Sequence, residues 1–303
     1  MTRPTSPLDL GLLVVTGKGG VGKTTVAAAA ACVAAERGRS VLLCDIDASG
    51  GCAEVLEVPR PGYEPAQARP GLDVMEMDTA AAMFHYLETF TPFGPIARRA
   101  PLSRGLSLMG SAAPGVREVL ALGRLLWAVR EGEYDLVIMD GPATGHVVAH
   151  LASPSSIGSL AAGGLLAGQT SWLQEMVTDP ATSGVVVVTL PEPGPVNETI
   201  ELLDELDRQV GIDRRGVAVN RMREPLGLRT DRELLGELEA VELPDPLATL
   251  VRRRVDVAAR HDAEVAQHRR FRNHSGASPV WSIAHADAAP PLAAAIDALA
   301  EEW

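Results

Sequence analysis

The sequence predicts an α/β protein: a single domain over residues 1–303, built on a doubly wound, mainly parallel sheet flanked by helices, with a small helical subdomain at 79–112 and 153–178. Three observations predict it. Apolar runs of strand length recur along the chain at Leu12–Thr16, Ser40–Ile46, Tyr134–Met139, Gly184–Leu190 and Gly216–Asn220, and read as strands buried on both faces. Helical patterns lie between them, and that alternation implies right-handed crossovers into a parallel sheet. Gly17, Asp47, Asp140 and Asn220 stand at or just past the ends of these runs, where open α/β sheets bind ligands.

The first strand, Leu12–Thr16, leads into Gly17-Lys18-Gly19-Gly20-Val21-Gly22-Lys23-Thr24, which fits G-x-x-x-x-G-K-[ST] in full. An alanine-rich stretch, Thr25–Arg37, follows as a helix and Gly38 ends it. Strand, glycine loop and helix in that order make a P-loop. The glycines let successive backbone N–H groups face one anion, and the helix adds its positive end. Lys23 is expected on the β- and γ-phosphates of ATP, and the Thr24 hydroxyl on Mg²⁺. Only two of the 27 lysines and arginines are lysine, Lys18 and Lys23, and both lie in this loop. An ammonium is a compact point charge where a guanidinium is a wide fork. A lysine early in such a loop resembles the deviant Walker A ATPases, and that resemblance implies that Lys18 crosses a dimer interface to the partner's nucleotide.

The second strand carries Asp45-Ile46-Asp47 at its end. Asp47 falls near Mg²⁺ or the attacking water, and Asp45 reads as structural. Ala48–Ala53 reads as a mobile switch-type loop with Glu54 beyond it. Tyr134–Met139 ends at Asp140, a Walker B carboxylate for Mg²⁺. The Gly141–His146 turn then reads as a γ-phosphate switch carrying His146. After Gly184–Leu190 comes a helix over Pro195–Val210, with Ile200, Leu203, Leu206 and Val210 on its apolar face. Asn220, at the end of the next strand, suits the adenine edge.

The remaining segments carry less. Val58–Pro70 reads as a loop, Thr79–Phe90 as a helix, Leu247–Arg272 as a long arginine-rich helix and Ala289–Trp303 as a closing helix. The arginines at 252–254, 269, 270 and 272 read as a solvated face, and a net charge of −12 argues against nucleic acid as a partner. Three cysteines, Cys32, Cys44 and Cys52, without a CxxC pair, point to a reducing, cytoplasmic setting. No signal peptide and no apolar run of about 18 residues is legible, so no transmembrane segment is expected.

Four segments together resemble the arsenical-pump ATPase family, which includes the targeting ATPase for tail-anchored membrane proteins. They are Gly17–Thr25 (GKGGVGKTT), Pro114–Leu126 (PGVREVLALGRLL), Asp140–His146 (DGPATGH, similar to the family's D-T-A-P-T-G-H) and Pro191–Leu206 (PEPGPVNETIELLDEL). The resemblance implies a Mg²⁺-dependent ATPase acting as an ATP-gated clamp on a protein client or membrane partner, as a homodimer or a paralogous heterodimer. It sets Asn220 on the adenine contact, and Gly17, Gly19, Gly20, Val21, Gly22, Lys23, Thr24 and Thr25 around the phosphates. The family's water-activating aspartate falls on Glu54. Two family features are missing: Asp-Pro-Ala-His is Asp47-Ala48-Ser49-Gly50, and no cysteine follows Cys52, so neither a metalloid site nor a zinc-clamped dimer is expected. Between 153 and 178, Ile157, Leu160, Leu165, Leu166, Trp172, Leu173 and Met176 read as core before they read as a client groove. Rival readings are a cell-division or partitioning ATPase, an ATP-binding switch with little hydrolysis, and a small-molecule kinase.

Overall fold

The computed structural model describes residues 6–90, 115–160, 165–223, 229–274, 278–285 and 290–303. Its elements run β1 (Leu12–Gly17), α1 (Lys23–Glu36), β2 (Val41–Asp45), α2 (Gly51–Leu56), β3 (Ala66–Arg69), β4 (Leu72–Glu76), α3 (Thr79–Phe90) and α4 (Val116–Arg130). They continue as β5 (Leu136–Ala143), α5 (Thr144–Leu160), α6 (Leu165–Thr178), β6 (Ser183–Thr189), α7 (Pro193–Gln209), β7 (Arg214–Met222), α8 (Arg229–Glu239), α9 (Asp245–His274), β8 (Val280–Ala284) and α10 (Pro291–Glu302). The strands form one sheet in the order β3-β4-β2-β5-β1-β6-β7-β8, and every pairing but β3 with β4 is parallel. The α/β fold expected from the sequence is the fold observed.

Strand alternation divides the core in two. Leu12, Val14, Val137, Met139, Val185, Val187, Val217 and Val219 face one layer, while Leu13, Val15, Leu136, Ile138, Val186, Val188 and Ala218 face the other. The second layer holds α1, which is buried from Val26 through Ala34. A helix apolar all round belongs inside a protein, and its alanines let it lie close to the sheet and to α10. On the first layer α3, α4, α5 and α6 pack against one another. Residues 91–112 of the expected helical insertion lie outside the described residues, as do the side chains of Ile157, Leu160, Leu165 and Leu166. Leu173 is buried, and Trp172 and Met176 pack against the core.

Several local readings need correction. Val58–Pro70 is not all loop: Ala66–Arg69 is an edge strand, antiparallel to β4, which is the short run Leu72–Glu76. The second half of the Ala48–Ala53 loop is the first turn of α2. Gly141–Ala143 continues β5 rather than turning, and Thr144–His146 opens α5. Pro142 is tolerated in this central strand because the β1–β5 register slips between Val15 and Gly17. Pro154, inside α5, leaves the His150 carbonyl without its helical N–H, and the Ser153 hydroxyl donates to that carbonyl at 2.7 Å instead.

Candidate nucleotide site

Sterics set the loop geometry first. Gly17 has φ 151°, and a Cβ there would lie 2.1 Å from the Val188 carbonyl oxygen. Gly22, at φ 95°, is the N-cap residue from which α1 starts, and it has no side chain with which to cap that helix. A glycine N-cap leaves the positive end of α1 without a capping side chain of its own, which suits an anion. Lys23 folds back so that Nζ donates to the Lys18 carbonyl at 3.3 Å. Lys18 forms an ion pair with Glu198 on α7. Both partners keep about two-fifths of their side-chain surface in solvent, 42% and 40%.

Beneath the loop, the Thr24 hydroxyl donates to Asp140 Oδ2 at 2.7 Å, and the Cys52 thiol lies 3.6 Å from the same oxygen. Asp140 Oδ1 is buried and has no hydrogen-bond partner among the described residues. Burial is the main reason that the Asp140 carboxyl is pushed up to about 6. A hydroxyl and an under-satisfied buried carboxylate oxygen beside Lys23 fit a hard, oxygen-seeking cation. Among the described residues no cluster of three or more His, Cys, Asp or Glu side chains forms a metal site. Phosphate and water oxygens would have to complete the coordination of Mg²⁺ around Thr24 and Asp140, as that ion prefers.

The expected residues divide into three groups. Gly17 to Thr24 and Asp140 converge, with Asn220 buried under the loop: its Nδ2 donates to the Val21 carbonyl at 2.9 Å. Asp47 and His146 together line a cavity of about 380 Å³ with Asp78, Arg117, Glu118 and His150. Thr25 and Glu54 line another, of about 500 Å³, with Val55, Glu57, Arg69 and the start of α10. Glu54 and Asp47 thus face different cavities. Asp45 is structural: its Oδ2 accepts from the Ser49 hydroxyl at 3.0 Å and from the Gly50 and Gly51 N–H groups at 3.0 and 3.1 Å, anchoring the loop into α2. Sequence reasoning missed Glu198 as the partner of Lys18; a lone carboxylate 180 residues away gives no local signal.

The family model described as anion-transporting ATPase matches residues 10–162, which hold the loop, Asp47 and the Asp140–His146 segment. The chain belongs to the anion-transporting ATPase family. It is 33% identical over 221 residues to the protein named ATPase BagA of Mycobacterium tuberculosis, covering 69% of this chain and 64% of that one. To a putative arsenical pump-driving ATPase of Halobacterium salinarum it is 30% identical over 230 residues, 69% of this chain and 35% of the relative. To an ATPase ASNA1 homolog of Entamoeba dispar it is 26% identical over 251 residues, 69% and 75% respectively. The match thus spans just under two thirds of the mycobacterial relative. Membership agrees with the sequence resemblance, three of whose four segments, Gly17–Thr25, Pro114–Leu126 and Asp140–His146, lie within the matched residues. No helix among the described residues is long and apolar enough to cross a membrane.

Proposed function

We propose that this chain is a Mg²⁺-dependent ATP hydrolase that works as an ATP-gated dimer on a protein client or membrane partner. The observation that carries the reading is the convergence of the glycine loop, Lys23, Thr24 and an under-satisfied buried Asp140 at the start of α1. Loop N–H groups and Lys23 hold the β- and γ-phosphates, while Thr24 and Asp140 hold Mg²⁺. When bound, that ion offsets charge on the phosphate oxygens. Lys18 reaches the nucleotide of a second subunit, an identical chain or a paralogue. His146, in the first turn of α5, senses the γ-phosphate through the Asp140–Ala143 strand. Asp47 orients the attacking water, a role supported by the cavity it shares with His146. Glu54 is the alternative for that role, carried by α2, whose Cys52 thiol lies 3.6 Å from Asp140. Three free, buried cysteines suit the cytoplasm.

A second reading, an ATP-binding switch with little hydrolysis, draws support from Glu54 and Asp47 facing different cavities. Phosphate release with Mg²⁺ against EDTA, in wild type, Lys23→Ala and Asp140→Asn, separates the two. Hydrolysis present only in wild type with Mg²⁺ supports the enzyme. Tight ATP binding with no phosphate release leaves the switch. Release that is indifferent to EDTA, or undiminished in Lys23→Ala, defeats the assignment of this loop.

A further inference from the structure

We infer that the α8–α9 hairpin is an arm that packs, antiparallel, on the same arm of a second copy of this chain. The inference rests on the dimer reading above and deepens it, adding an interface that the nucleotide does not supply.

The fold makes the arm. β7 and β8 are parallel, so α9 carries the chain back from the edge of the sheet where β7 ends to the opposite edge, where β8 begins. The chain leaves β7 at Arg223, and α9 is latched to it there. The Arg223 N–H donates to Glu264 Oε2 at 3.0 Å, its guanidinium pairs with Glu264, and its carbonyl lies 3.0 Å from His261 Nδ1. Residues 261–264 of α9 therefore mark the level of the edge. Residues 245–260 stand beyond it and, at 1.5 Å per residue, make about 24 Å of helix past the sheet. α8 packs mainly on α9 rather than on the core. The phosphate loop leaves β1 at this same edge, because β1, β6 and β7 are parallel. The arm thus rises on the side from which Lys18 would reach a second subunit.

Two patterns on the arm call for a partner. Leu234, Val241, Leu247, Leu250 and Val257 are the large apolar side chains left exposed among the described residues, from 37% at Val257 to 59% at Val241. All five lie on α8, on α9 or in the turn between them. Single exposed leucines are ordinary, whereas a cluster marks an interaction surface. On α9, Leu247, Leu250 and Val257 fall within an arc of about 80° at 3.6 residues per turn.

Charge is sorted along the arm as well. Glu237, Glu239, Glu242 and Asp245 are exposed around its tip, with no basic residue from 237 to 251. Arg252, Arg253, Arg254 and Arg260, which sequence alone reads as a solvated face, are exposed along its shaft, with Asp256 among them. An anionic membrane would meet the acidic tip first, which tells against a lipid partner. Arms rising from the facing edges of a two-fold dimer point in opposite directions. Acidic tip then meets basic shaft twice over, with the apolar stripes between them, the self-complementarity that a two-fold interface requires.

The test uses two charge-reversed chains, Glu239→Lys/Glu242→Lys at the tip and Arg253→Glu/Arg254→Glu on the shaft. All four positions are exposed, so thermal unfolding should match wild type. Sedimentation velocity, with Mg²⁺ and the non-hydrolysable analogue adenylyl imidodiphosphate, gives the dimer dissociation constant. It should rise about tenfold or more for each variant alone and return toward wild type when the two are mixed, because each repels itself and attracts the other. Dimers of undiminished strength in both variants overturn the inference and leave a dimer held at the nucleotide face. Weakening that mixing does not relieve overturns the pairing of arm with arm. Wild type that stays monomeric throughout overturns the inference together with the homodimer reading, and its co-sedimentation with phosphatidylglycerol vesicles would then give the arm to a lipid surface.

Discussion

Replacing Glu198 with glutamine should make the proposed dimer form more readily. Glu198 holds Lys18 within its own subunit, and a lysine so held must let go before it can reach a second subunit. The side chains are 42% and 40% exposed, so the pair belongs with surface ion pairs, worth about 0.2–1 kcal/mol each. A symmetric dimer breaks two such pairs, which totals about 0.4–2 kcal/mol, or roughly a twofold to thirtyfold change in the association constant. The protein concentration giving half-maximal ATP turnover per subunit should fall by that factor in Glu198→Gln. The KM for ATP should hold steady, because Lys18 is not assigned to its own subunit's phosphates. Raising the salt to about 1 M, where the screening length is about 3 Å, should bring wild type toward the variant. Stopped-assay phosphate release across a protein dilution series measures this. A half-maximal concentration that rises in Glu198→Gln, or one unchanged at low salt, refutes the idea that this ion pair restrains Lys18.

Two further predictions concern the frame around the site. Gly17→Ala would force a Cβ to within 2.1 Å of the Val188 carbonyl oxygen at a φ of 151°, so it should lower thermal stability, whereas Gly19→Ala, with no atom of the described residues beyond its chain neighbours within 4 Å, should lower it far less; equal melting temperatures for the two variants would count against the loop geometry. His150 is held below its usual 6.5 chiefly by burial, with Glu118 and Asp47 pulling it up and His146 and Arg117 pushing it down. The folded protein therefore resists protonating it, and its contribution, complete above pH 6.5, is lost as pH falls below that value. The melting temperature should drop more steeply below pH 6.5 in wild type than in His150→Gln, and a wild-type melting temperature that rises on acidification relative to the variant would contradict the buried, neutral imidazole.

The sequence was most informative where local pattern and chemistry coincide. Leu12–Gly17, the glycine loop and the alanine run through Glu36 form one continuous signal, since the strand, the turn and the helix each have their own residue requirements. Asp140 was legible because a carboxylate ended an apolar run. The β3–β4 hairpin was hidden because Ala66–Arg69 is a polar edge strand beside four prolines, and its partner Leu72–Glu76 is too short to show a period. β8 and α8 went unread for similar reasons: β8 is five residues at the sheet's other edge, and α8 packs mainly on α9 rather than on the core. Within the site, residue type could nominate Asn220 but could not reveal that its amide would meet Val21, 199 positions earlier. Nor could it place Glu54 and Asp47 in different cavities, because that depends on α2 starting at Gly51 rather than on a longer loop. Contacts made by long-range packing were the part that spacing could not supply.

The central claim is a dimer in which Lys18 of one subunit serves the nucleotide of the other, and it is tested most directly by ATP turnover per subunit against protein concentration, for wild type and Lys18→Ala. The account predicts wild-type turnover that climbs with concentration to a plateau, while Lys18→Ala binds ATP and stays inactive throughout. Turnover per subunit that is flat across the dilution series, or a Lys18→Ala variant that hydrolyses ATP like wild type, would contradict it.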